Sequence, residues 1–314
     1  MQRALLSWTL VFGLLLAGFG ACVLALNSDV FSAHGFVRSY LEALERQDAD
    51  EALDFDGVVV PAGASEDLLV DAALGDLSDI HLLNDVEAGD THVVTYRYTL
   101  GGETRSTDFT VERTGTRLWF FPTWRFAISP MATLTATIDH DTRLVANGVD
   151  SVSGAHAVLV PGSFALDHES AYLQAAEVPV VVTEVGETVG ARVEVTPSES
   201  FAPAATAAIA AYLDACVTQE VLKPTGCPMG TDVANRLNSA PVWSMVDYPT
   251  AVVEPTDTPG VWKTEPIHSI AHITAEVKSL FDGSVSSLNE DVPFSTGYRI
   301  TIAGDDSLSV TAPA

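Results

Sequence analysis

The sequence predicts an α+β protein held outside a membrane by one amino-terminal helix, and three observations predict it. Ala4 to Leu26 is a run of 23 residues without a charge, enough to cross the hydrocarbon core of a bilayer. Helical spacing of apolar residues is confined to short stretches near Phe36 and Ala208, whereas alternating runs punctuated by turn residues fill most of the rest. Two cysteines, Cys216 and Cys227, stand with ten residues between them in the part placed outside. Together these divide the chain into a transmembrane segment (1–28), an α+β module (29–128), a small β-sandwich (129–199) and a second α+β module (200–314).

The membrane segment comes first. Arg3 precedes the apolar run and Asp29 follows it, so the positive-inside rule puts the start in the cytoplasm and everything after residue 28 outside. The run exceeds the roughly 7–15-residue core of a cleaved signal peptide, which favours a retained signal-anchor crossing once through residues 4–26. Two alternatives stay open. Cleavage can follow Ala25, and Gly20-Ala21-Cys22 resembles a bacterial lipobox, although Phe19 and Val23-Leu24 depart from it.

Past the membrane, Ser28 or Asp29 can cap a helix running to about Arg46, with Phe36, Val37, Tyr40, Leu41 and Leu44 on one face. An acidic stretch from Gln47 to Asp56 follows, and a second short helix is expected over Glu66–Leu74. Val94, Tyr96, Tyr98 and Leu100 alternate with Thr95, Arg97 and Thr99, which is a strand with one apolar face. Gly101-Gly102 should turn it back through Phe109 and Val111. A strand over Leu118–Phe121 then leads to Trp124-Arg125-Phe126.

Beyond Pro130 the expected strands are Leu134–Ile138, Leu144–Ala146, Ala157–Val160, Val178–Thr183 and Ala191–Val195. Asn147-Gly148, Pro161-Gly162 and Val185-Gly186 separate them. Ser198–Pro203 reads as a linker, and a helix should run from Ala204 to Val221. It echoes the first: Tyr40-Leu41-Glu42-Ala43 aligns with Tyr212-Leu213-Asp214-Ala215, which raises an internal duplication. Strand-rich stretches follow near Trp243–Val253, Ser269–Leu280, Gly297–Ile302 and Leu308–Thr311, with a hairpin signal at Asp282-Gly283.

Charge excludes whole function classes. The chain has 15 Lys+Arg against 42 Asp+Glu, a net charge of −27, which argues against nucleic acid as a partner because phosphate binding needs cations. It argues equally against peripheral attachment to anionic lipid. The membrane segment contributes +1, and the three outer modules contribute −12, −8 and −8. In an oxidising compartment a Cys216–Cys227 disulfide is the natural reading. Buried free thiols are the alternative, and zinc lacks a second ligand pair at the right spacing.

The segments FVRSYLEALERQDADEA (36–52), VVTYRYTLGG (93–102) and LWFFPTW (118–124) resemble extracytoplasmic NTF2-like domains of bacterial membrane proteins. In those domains an amino-terminal helix packs into a curved antiparallel sheet. With LVPGSFAL (159–166) and YLDAC…LKPTGCPMG (212–230), the whole resembles single-pass membrane proteins of high-GC Gram-positive bacteria. It is loosely similar to the staphylococcal teicoplanin-resistance-associated membrane protein family, but lacks a cytoplasmic zinc-ribbon before the helix. The resemblance implies an NTF2-like module at 29–128 and brings no catalytic residues; the helix echo raises a second NTF2-like module as one reading of the α+β region 200–314.

Candidate chemistry is sparse. His268 and His272 have metalloprotease spacing, but Ser269 stands where the general base belongs and the context is a strand. Asp139-His140-Asp141 reads as a polar turn, since three adjacent strand residues cannot converge on one ion. Asp48, Asp50, Glu51, Asp54 and Asp56 fail the calcium-loop template at Ala52. Trp119, Trp124, Trp243 and Trp262 either fill the core or line a cleft, and Arg125 should find an acidic partner. No catalytic, cofactor or metal residue is assigned. The expected function is a non-enzymatic binding module of the cell envelope, with a cell-wall component or envelope protein as partner. The alternative is an enzyme using a cone cavity for acid/base chemistry.

Overall fold

The computed structural model describes the backbone of residues 2–312 and the side chains of residues 14–312. The fold is α+β, mostly sheet with a few helices. The chain divides into two compact units. The first takes the residues up to Thr137 together with 143–167 and 177–193; the second takes 138–142, 168–176 and the residues from Glu194 on.

The first unit begins with α1 (Gln2–Ser28) and α2 (Ala33–Glu45). Because α1 continues through Ser28, the cap of α2 is neither Ser28 nor Asp29 but Ser32, whose Oγ accepts from the Gly35 amide at 3.0 Å. The two axes bend by 59°. The bend needs Gly35: a Cβ there would lie 2.1 Å from the Asp29 carbonyl oxygen. No single helix among the described residues is long and apolar enough to cross a membrane, but Leu14–Ser28 and Ala33–Glu45 pass that test as a bent pair. The two members differ physically. Val37, Tyr40, Leu41 and Leu44 of α2 are at most 2% exposed, whereas Leu14, Leu15, Leu16, Phe19 and Leu24 of α1 are 56–71% exposed.

After α2, Asp48 caps a short helix α3 (Ala49–Leu53), with Asp50 and Glu51 in its first turn, where the helix dipole favours acids. The acidic stretch is thus helical, and Glu66–Leu74 forms only a 3-10 turn at Asp71–Ala73. Four antiparallel strands follow in meander order: β1 (Leu77–Ala88), β2 (Thr91–Leu100), β3 (Glu103–Arg117) and β4 (Phe121–Phe126). The Gly101-Gly102 hairpin forms as expected, at φ +58° and +81°. Of the strand expected over Leu118–Phe121 only Phe121, the start of β4, is strand; Leu118–Phe120 form a turn, with Leu118 and Trp119 at φ 54° and 69°. Tyr40 sits at the centre of the core, edge-on to Phe55, Phe109 and Phe126. Its hydroxyl donates to the Val160 carbonyl at 2.9 Å, and Met131, Ala157 and Leu159 join the same core. Met131–Ile138 lies between Thr188–Val193 and Gly154–Leu159, while Gly162–Asp167 lies between Val178–Val182 and Arg143–Ala146.

In the second unit α4 (Phe201–Val217) starts three residues earlier than expected and buries Phe201, Ala205, Ile209, Leu213 and Cys216. One sheet orders Val253–Pro255, Val261–Thr264, Arg299–Ile302 and Leu308–Thr311. A second is built on the long hairpin Ile267–Lys278 and Val285–Thr296, turned through Gly283 at φ +74°, and Leu173–Ala175 pairs with Val195–Pro197 in a third.

Candidate functional site

The cysteines predicted to pair do so. Cys216 closes α4 and is bridged to Cys227, with Cα atoms 5.8 Å apart, inside the range a disulfide allows. The enclosed loop is tied internally as well. The Gln219 side chain accepts from the Thr225 amide at 2.8 Å and donates to the Thr225 carbonyl at 3.2 Å. The Tyr212 hydroxyl donates to Gly226 O. This loop is a structural staple, not a reactive thiol site. Cys22, on α1, is free and exposed.

The other sequence candidates are dispersed. His268 and His272 lie on the strand Ile267–Lys278, and His272 Nδ1 is 2.7 Å from Asp291 on the facing strand. His140 sits at φ 61° with its ring edge-on to Trp262, while Asp141 is buried beside His168. Among the described residues no group of three or more His, Cys, Asp and Glu is placed to hold a metal ion. Trp243 and Trp262 are core residues and Trp124 is half-buried, whereas Trp119 is 92% exposed. Arg125 pairs with Glu112.

Two constellations escaped the sequence reading. Asp85, on β1, stands between two imidazoles: Oδ2 is 3.1 Å from His34 Nδ1 and Oδ1 is 2.6 Å from His92 Nδ1. Trp124 packs edge-on to His92 at 4.9 Å. A carboxylate holding Nδ1 fixes a ring and leaves Nε2 pointing away, which is how an orienting acid serves a general base. The second constellation has the composition of a nucleophilic triad but not its wiring. Ser151 Oγ donates to Asp67 at 2.6 Å, and His156 Nδ1 is 2.8 Å from the same carboxylate. His156 Nε2 is taken by the Val152 carbonyl at 2.9 Å, so neither ring nitrogen is left to accept a proton from a nucleophile. Burial alone would raise the Asp67 carboxyl; hydrogen bonds from Ser151, His156 and Ser65 more than reverse this and hold it below its ordinary value.

The second unit offers a cleft of about 340 Å³ lined by Lys263, Thr264, Gly297, Tyr298, Arg299, Thr311 and Ala312. Lys263 and Arg299 are directly paired across adjacent strands, a like-charge placement that costs stability in a chain short of cations. Lys263 also reaches Glu254 at 3.6 Å. Tyr298 is 1% exposed, and among the described residues its hydroxyl has no hydrogen-bond partner; burial pushes its phenol up to about 12. Lys263 and Arg299, both exposed on the cleft's outer face, suit an anionic group, whereas the Tyr298 hydroxyl is buried away from solvent.

No family model, curated protein or solved structure matches this chain. Function therefore has to be argued from the geometry alone. The cleft beside Tyr298 is a binding geometry, and the His34–Asp85–His92 group is an acid/base geometry. Neither was marked by local sequence spacing, since the cleft is assembled by strand pairing and the acid/base group by strand pairing together with α2 packing on β1.

Proposed function

We propose that this chain is a single-pass, membrane-anchored extracytoplasmic protein of the cell envelope that binds rather than catalyses. The observation that carries the reading is α1, free of charge from Ala4 to Leu26 and with its described apolar side chains left largely uncovered. A helix of this kind is satisfied by lipid. The buried stripe of α2 makes it a core helix, so α1 alone is left over for the bilayer. The bridged cysteines agree with an oxidising exterior. α2 set against the antiparallel β1–β4 meander is compatible with an NTF2-like module, and the short strands of 129–199 are compatible with the β-sandwich reading. Tyr96, Tyr98 and Phe109 are buried in the core, which favours a filled cone over a catalytic cavity. For recognition, the Lys263–Arg299 cleft suits a carboxylate or phosphate group of a cell-wall component.

The test is protease treatment of intact protoplasts expressing the full chain with a carboxy-terminal tag. The tag should be lost from intact cells while a short membrane-bound stub survives alkaline extraction. A tag protected until lysis, or release of the chain by carbonate, would overturn the reading. The His34–Asp85–His92 group supports a second reading, acid/base chemistry at that site. It predicts a hydrolytic or isomerising activity that Asp85→Asn abolishes and Asp291→Asn spares; equal activity in the two variants would reject it.

A further inference from the structure

The turn joining β3 and β4 carries the most exposed aromatic cluster beside α1. Leu118, Trp119 and Phe120 are 69%, 92% and 52% exposed, a contiguous apolar tip of the kind that marks an interaction surface. The tip lies along the membrane helix. Asn27 Nδ2, near the end of α1, donates to the Phe120 carbonyl at 2.7 Å, and the Phe120 ring meets Phe19 edge-on at 5.9 Å. Phe19 is eight residues before Asn27, about 12 Å deeper along the helix axis. The hairpin thus points its aromatic side chains along α1 towards the level of the apolar run.

Its charge fits that place. Residues 113–125 hold three arginines and no acid, in a chain where acids outnumber bases 42 to 15. Arg125 is engaged by Glu112, while Arg117, next to the tip, is exposed. Its backbone also points to selection. The Phe120 amide closes the turn onto the Arg117 carbonyl, and both central residues have positive φ, the pattern that ordinarily calls for Asn-Gly or Gly-Gly. Leu and Trp are held there against their backbone preference.

We propose that the β3–β4 turn is a second membrane contact, in which Leu118, Trp119 and Phe120 enter the outer-leaflet interface beside α1 and Arg117 meets anionic headgroups. Tryptophan favours this interfacial depth, and arginine beside it gains from anionic lipid. The inference rests on the membrane reading of α1. The contact would fix the first unit's orientation to the bilayer, which a single helix leaves free to swivel.

The test uses full chain with Cys22→Ser, the Cys216–Cys227 bridge intact, in phosphatidylcholine–phosphatidylglycerol vesicles. An environment-sensitive fluorophore is attached through Trp119→Cys, and in separate preparations through Leu15→Cys on α1 and Phe281→Cys, a fully exposed control site. The expected result at position 119 is a blue shift, quenching by lipid spin-labelled near its headgroup, and loss of quenching by aqueous iodide. Position 281 should stay open to iodide. A lipid-quenched probe at 15 with an iodide-accessible probe at 119 overturns the hairpin contact and leaves the anchor standing. A probe at 119 shielded from both quenchers is covered by protein, such as a second copy, and also overturns it. An iodide-accessible probe at 15 sinks the membrane reading and the inference with it.

Discussion

At hairpins other than the β3–β4 turn the left-handed positions are taken by glycine or a small polar residue, as by Asp306 before Leu308–Thr311. Gly101-Gly102 takes them between β2 and β3, and Asn147-Gly148 takes them between Arg143–Ala146 and Val149–Val152. Leu118-Trp119 breaks that habit in the same sheet. Exchanging it for the ordinary residues, Leu118→Asn with Trp119→Gly, should therefore stabilise the folded unit by about 1–3 kcal/mol in detergent, read as a rise in its unfolding midpoint. The same variant should lose the lipid contact. A fall in stability would show that the tip is unstrained. Asp67 makes a separate residue-scale prediction. Its folded pKa is depressed, so its stabilisation is complete above the unfolded value of about 3.9 and is lost as pH falls through the folded value. At neutral pH Asp67→Asn should cost about 1–3 kcal/mol, because it leaves His156 and Ser151 poorly partnered. The gap to the parent should begin to narrow as pH falls through the unfolded value and close below the folded one, where both carry an uncharged group. A constant gap across a pH series of denaturant melts would contradict the assignment.

At the scale of elements, legibility followed one-sided burial. β2 was readable because Val94, Tyr96, Tyr98 and Leu100 face the core while the residues between them do not. β1 was not, since only Leu77 of its twelve residues is buried and no periodicity marks it. That omission also hid the acid/base group: Asp85 reaches His92 once β1 is registered beside β2, and His34 only once α2 packs on β1. α3 escaped because five residues anchored by the Asp48 cap carry too few turns to show a stripe. The echo between α2 and α4 holds at four aligned buried pairs, Ala33 with Ala205, Val37 with Ile209, Leu41 with Leu213, and Leu44 with Cys216. The strand orders that follow them differ. The disulfide was legible, because compartment and composition decide it without knowledge of the fold. Its loss through Cys216→Ser with Cys227→Ser should cost about 3 kcal/mol on the chain-entropy model. Scanning calorimetry should show this in the transition of the second unit and not of the first. An unchanged thermogram would mean that Gln219 and Tyr212 hold the loop unaided.

On the membrane-anchored reading proposed above, the decisive quantity for the whole molecule is the distribution of charge relative to the bilayer. The part after residue 28 carries −28 against the +1 of the membrane segment, and an anionic leaflet repels it over roughly a Debye length. The span 113–125, with three arginines and no acid, is locally of the opposite sign and sits beside α1. Attraction at the hairpin and repulsion elsewhere should together stand the acidic surface away from an anionic membrane while keeping the tip in place. Energy transfer from a donor at Phe281→Cys to a headgroup acceptor measures this. In low salt, transfer should be weaker in vesicles containing phosphatidylglycerol than in phosphatidylcholine alone. The difference should vanish towards 1 M salt, where the Debye length falls to about 3 Å. A probe at 119 should show no such salt dependence, because apolar burial holds it. Equal transfer in the two lipids at low salt would mean that α1 and the hairpin fix the orientation alone, with the acidic surface playing no part in it.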